Sequence, residues 1–160
     1  MSADRLWYFG YGSNMHRGTF LERRKMQPGN ALPARLVGYR LCFDIPVGPG
    51  ERGVANILTD PAAEVWGVAY DISIEEFERL DRTEGVPFGL YQRIPVELIT
   101  LETERITALT YQSSVTAPGR KPSPRYMGLL LSGARENSLP AEYLRYLESI
   151  ELGIDERVSR

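Results

Sequence analysis

The stretch Glu64–Gly85, EVWGVAYDISIEEFERLDRTEG, contains both kinds of regular structure and the switch between them. Val65, Trp66, Val68 and Tyr70 give Glu64–Asp71 the β-branched and aromatic side chains of a strand. Ser73-Ile74-Glu75-Glu76 is a capping box, in which the serine hydroxyl and the glutamate carboxylate three residues on each accept an otherwise unpaired amide. Ile74, Phe77 and Leu80 follow at helical spacing, and Gly85 supplies a left-handed stop. The pattern predicts a helix of about three turns ending near Glu84.

Toward the N-terminus the chain is mainly β. Ala31–Phe43 and Val54–Leu58 read as strands, separated by Pro46, Gly48, Pro49, Gly50 and Gly53, which cannot continue a ladder. Leu6–Phe9 is a short strand entering Gly10-Tyr11-Gly12-Ser13-Asn14, and the polar segment Met15–Gln27 is a loop or short helix. On the C-terminal side, Tyr91–Leu101 and Glu104–Gln112 alternate as a hairpin, with Pro95 marking an edge or bulge. Tyr126, Leu129, Leu130, Gly133 and Ala134 then share a helical face, and Pro140 opens a second helix carrying Tyr143, Leu147 and Ile150. Strands and helices do not alternate regularly, which argues against a doubly wound parallel sheet. The fold class is α+β, a mixed β-barrel or strongly curved sheet with flanking helices.

Length and composition agree. The 160 residues fit one domain, 1–160, with a tail loosely held from about Leu152. With 42% apolar and 25% charged residues the chain can bury a core. A net charge of -2 with scattered Lys and Arg gives no nucleic-acid footprint. No apolar run approaches the roughly 20 residues of a membrane helix, and Met1–Phe9 has no export signature. A single cysteine, Cys42, rules out an internal disulfide framework and suits a reducing, cytoplasmic setting.

The chemistry narrows by elimination. One histidine, His16, and one cysteine cannot build a zinc site unless carboxylates dominate it, so no metal is expected. Ser13 and His16 lack the nucleophile-elbow pattern, and Cys42 between Leu41 and Phe43 reads as a small buried hydrophobe. The glycine loop lacks a phosphate loop's spacing and lysine. Two readings fit it: a tight strand exit, or successive amides that hold an anion. Glu84 likewise fits a solvated last-turn carboxylate, or a base whose pKa is raised by the negative helix end and by any burial. Tyr8, Tyr11, Tyr91, Tyr111 and Tyr126 are ordinary core or interface fillers on composition alone.

Taken together, Trp7–Met15, Glu64–Val68, Asp81–Val86 and Pro122–Tyr126 resemble, in order and spacing, the gamma-glutamylcyclotransferase family. Gly133–Asn137, Leu139-Pro140 and Tyr143 extend the likeness into the C-terminal helices. The resemblance implies a mixed β-barrel with a cavity at one end. It places Tyr8, Phe9, Gly10, Tyr11, Gly12, Ser13 and Asn14 in the substrate-binding loop, Glu84 at the catalytic glutamate, and Tyr91, Tyr111 and Tyr126 around the pocket. Gly10 stands where the family often has alanine, and Asp44–Arg52 matches no pattern of the family, which leaves the leaving amine open.

The implied reaction is cofactor-free. The α-amine of a small γ-glutamyl substrate attacks its own γ-amide, releasing 5-oxoproline and an amine. An intramolecular attack needs near-attack geometry and a proton shuttle rather than an enzymatic nucleophile. The amine could come from an amino acid, a γ-glutamylamine, an isopeptide-linked lysine or a carrier-bound intermediate. A non-catalytic binding module on the same fold is the reading from a different class. A homodimer is common in the family, though nothing in the sequence marks an interface.

Overall fold

A computed structural model describes residues 4–154. Among them run the strands β1 (Arg5–Gly10), β2 (Ala31–Pro46), β3 (Gly53–Ser73), β4 (Gln92–Thr100) and β5 (Arg105–Gln112). The helices are α1 (Ile74–Thr83), α2 (Pro124–Glu136) and α3 (Ala141–Glu148). The strands close a barrel in the order β1-β3-β2-β4-β5. All pairings are antiparallel except the closing one, where β1 runs parallel to β5 at Tyr8 and Leu109. Of the two expected forms, the sheet takes the closed one.

The stretches Val54–Leu58 and Glu64–Asp71, read separately from sequence, are parts of one strand of 21 residues. Val37 pairs with Glu64 and Tyr39 with Thr59, so residues 60–63 bulge out opposite the single Gly38. Asp60 and Pro61 break the ladder there without ending the strand, and the Asp60 carboxylate accepts the Ala62 amide at 3.0 Å. Such a bulge adds twist, which helps two long strands coil round a small barrel. Pro95 falls in the part of β4 that pairs with β5 alone, since β2 joins β4 only at Ile99 and Thr100.

The expected capping box forms at α1. Ser73 Oγ accepts the Glu76 amide at 3.1 Å, and the Glu76 carboxylate accepts the Ser73 amide at 3.0 Å. Phe77 and Leu80 are fully buried, and Gly85 ends the helix at φ 73°. Segment Met15–Gln27 contains a π-helical turn at Gly18–Arg23, preceded by a 3-10 turn over Ser13–Met15. Ser123 caps α2 by accepting the Tyr126 amide at 3.1 Å, which fixes Tyr126 in the first turn.

Of the tail expected to be loosely held, residues 155–160 lie outside the described residues. The Gly153 amide donates to Pro122 O at 2.8 Å and the Ile154 amide to the Glu51 carboxylate at 3.0 Å. Among the described residues no helix is long and apolar enough to cross a membrane.

Candidate active site

A cavity of about 220 Å³ opens at the end of the barrel where β1 and β5 finish and β4 begins. Tyr8, Tyr11, Gly12, Ser13 and Asn14 line it from the first strand and its loop. Glu84 enters from the end of α1, and Tyr91, Tyr111 and Tyr126 close the ring. Phe9 and Gly10, expected with this group, do not line the cavity. Strand alternation turns Phe9 to the opposite face from Tyr8, where it is fully buried with its ring 6.2 Å from Tyr11.

Glu84 is the carboxylate among the lining side chains. Burial pushes its pKa above the ordinary range, against the opposing pull of the Arg24 charge and the Asn14 hydrogen bond. Asn14 Nδ2 donates to Glu84 Oε1 at 3.0 Å and to the Tyr8 hydroxyl at 2.8 Å, while Asn14 Oδ1 accepts from Arg24 Nε at 2.6 Å. Arg24 Nη2 stands 4.0 Å from Glu84 Oε1. Asp81, one helical turn earlier, is engaged elsewhere: it accepts from Arg93 Nε and Nη2, each at 2.8 Å, and from the Tyr111 hydroxyl at 2.6 Å.

The loop bearing Asn14 is held from behind. Tyr70 donates to Asn14 O at 2.8 Å, and Asn137 Nδ2 donates to Met15 O at 2.9 Å. Helix α2 packs directly on it at Gly133, where a Cβ would lie 2.5 Å from the Met15 carbonyl carbon. On the cavity side the tyrosines are tied to the frame. Tyr11 donates to Tyr111 O at 2.6 Å and Tyr91 to Ala55 O at 2.8 Å. The Ala55 amide donates to the Tyr126 hydroxyl at 3.0 Å. Burial pushes Tyr126 up to about 12, so its phenol stays protonated at neutral pH.

The remaining reactive side chains stand apart from the cavity lining. His16 Nδ1 is occupied by the Thr19 amide at 3.2 Å and the Thr19 hydroxyl at 3.0 Å. Burial pushes the Cys42 thiol up to about 12, so it is inert as a nucleophile. Among the described residues no group of three or more His, Cys, Asp or Glu could hold a metal ion.

Sequence reasoning missed Arg24, Val54, Ala55 and Leu90, which also line the cavity. Nothing in one sequence separates Arg24 from its neighbours Arg23 and Lys25, and the three apolar residues look like ordinary strand and loop positions.

The model of the AIG2-like family matches residues 64–147. The gamma-glutamylcyclotransferase of Bos taurus is 37% identical over 156 residues, which cover 93% of this chain and 80% of that protein. The gamma-glutamylcyclotransferase of Homo sapiens is 36% identical over 153 residues, covering 90% and 78%. A solved structure described as gamma-glutamyl cyclotransferase superimposes with a TM-score of 0.83 at 30% identity, covering 97% of this chain and 96% of that one. With this fold, and with identity that runs nearly end to end, the chain belongs to the gamma-glutamylcyclotransferase family of enzymes.

Proposed function

We propose that this enzyme cyclises γ-glutamyl compounds to 5-oxoproline with Glu84 as the proton shuttle. The observation that carries the reading is a buried carboxylate of raised pKa at the wall of a tyrosine-ringed cavity. A curled γ-glutamyl chain brings its α-nitrogen to its own γ-carbon, so the cavity gains rate by holding that geometry. Glu84 accepts a proton from the attacking nitrogen. As the C–N bond of the five-membered ring forms and the amide C–N bond breaks, it passes a proton to the departing nitrogen. A carboxylate with a pKa lifted toward neutrality can serve as base in the first step and acid in the second.

Gly12, Ser13 and Asn14 line the same cavity, and the amides of Gly12 and Asn14 are the groups proposed for the substrate's α-carboxylate. Val54, Ala55 and Leu90 provide an apolar wall for the rest of the ligand. The reading extends, on family resemblance, to a cytoplasmic homodimer; native mass spectrometry checks the assembly.

The test is 5-oxoproline release from a panel of γ-glutamyl amino acids and γ-glutamylamines, followed by mass spectrometry. Wild type should release it, and Glu84→Gln should lose at least about 10²-fold in kcat while keeping its fold. A folded Glu84→Gln enzyme that retains more than about a tenth of the rate would exclude Glu84 as the shuttle.

A further inference from the structure

We propose that the Tyr8 hydroxyl is the hydrogen-bond donor to the oxyanion that develops on the substrate's γ-carbonyl, held for that task by Asn14 and Arg24. The assignment rests on the cyclotransferase reading above.

A phenol has one proton to give, so the five lining tyrosines can be sorted by where that proton goes. Tyr11, Tyr91 and Tyr111 spend theirs on Tyr111 O, Ala55 O and the Asp81 carboxylate. Tyr8 and Tyr126 instead face N–H groups, Asn14 Nδ2 and the Ala55 amide, so their oxygens accept. Their protons remain for a ligand.

The chemistry of Arg24 fixes the direction of the Asn14 amide. A guanidinium has donors only, so the Asn14 atom 2.6 Å from Arg24 Nε is the oxygen. The NH₂ must then face Tyr8 and Glu84. One nitrogen touches both the Tyr8 hydroxyl at 2.8 Å and Glu84 Oε1 at 3.0 Å, so donor and base lie one hydrogen bond either side of the same amide and line the same cavity. Tyr126 has no such link to Glu84. Accepting from Asn14 also polarises the Tyr8 O–H and strengthens it as a donor. Burial first, and then the Glu84 charge, push the phenol well above its ordinary range, so it stays protonated.

In the step itself, the α-nitrogen bonds to the γ-carbon and the carbonyl π pair moves to oxygen. Tyr8 donates to that oxygen without losing its proton. When the carbonyl re-forms, the amide C–N bond breaks and Glu84 protonates the departing nitrogen. Removing a donor that acts mainly on developing charge lowers kcat and kcat/KM together and leaves KM nearly unchanged.

The experiment compares wild type, Tyr8→Phe and Glu84→Gln in 5-oxoproline release, with circular dichroism as the folding control. Tyr8→Phe should lose about 10²–10³-fold in kcat with KM within about threefold of wild type. If Tyr8→Phe does not fold, 3-fluorotyrosine and 3,5-difluorotyrosine at position 8 keep the ring's shape while changing the phenol's acidity. A kcat that responds to that acidity supports the assignment, and a kcat indifferent to it overturns it. Active wild type, inactive Glu84→Gln and unimpaired Tyr8→Phe overturn the Tyr8 role alone. Silence from folded wild type across the panel overturns both readings.

Discussion

Glu84 is an acid buried where the proposed mechanism needs a base, and the conflict should be measurable in stability. Its folded-state pKa is raised, chiefly by burial, so the folded protein holds that proton more tightly than the unfolded chain does. The contribution to folding is therefore most favourable below the unfolded value of about 4.3 and declines as pH rises through the folded one. Glu84→Gln removes the titration, so the variant should melt above wild type at neutral pH and at nearly the same temperature below about pH 4. Thermal melts at both pH values check this. A variant that melts lower at neutral pH would show that the Arg24 and Asn14 contacts outweigh burial. The place of Glu84 at a helix end was legible in the sequence, and the resemblance of Asp81–Val86 to the family singled it out. Arg24 could not be singled out, because its role depends on Asn14, ten residues earlier, folding back beside it.

At the level of elements, α1 has its own titrating group with the opposite sign. Burial pushes Glu76 up, but the amides of Gln27 and Ser73 outweigh it and hold the carboxyl below the ordinary range. Its two oxygens accept from Ser73 N at 3.0 Å and Gln27 N at 2.5 Å, joining the helix start to the segment before β2. That stabilisation is present at neutral pH and lost as pH falls through the lowered folded pKa. Glu76→Gln presents an NH₂ to one of the two amides and leaves that donor unpaired. It should cost about 1–3 kcal/mol at pH 7 and markedly less near pH 3, which urea unfolding at the two pH values will read. The serine-to-glutamate half of this arrangement is local, so the sequence showed it. The bond to Gln27 joins residues 49 apart and left no local mark. The merger of two expected strands into β3 has a similar origin: Asp60 and Pro61 look like a turn until β2 runs on beside them past Gly38.

At the scale of the whole molecule, the site depends on α2 lying flat against the loop that carries Asn14. Gly133 makes this possible, since a Cβ there would come within 2.6 Å of His16 N and 2.5 Å of the Met15 carbonyl carbon. Both neighbours are backbone and cannot swing aside. Gly133→Ala should force helix and loop apart, lowering the melting temperature and cutting turnover by at least about tenfold through misplacement of Asn14 and Tyr8. Unchanged turnover would mean that the loop keeps its position without α2. The chain by itself determined what short-range physics controls: the strand and helix periodicities, the capping box, the glycine stop and thus the α+β class, while the spaced motifs pointed to the family. Only the tertiary structure decided which faces meet. It closed the sheet by pairing β1 with β5, brought Arg24, Val54, Ala55 and Leu90 into the cavity lining, and fixed the hydrogen-bond partners of Tyr11, Tyr91 and Tyr111. These depend on contacts between residues far apart in sequence, which no local pattern encodes.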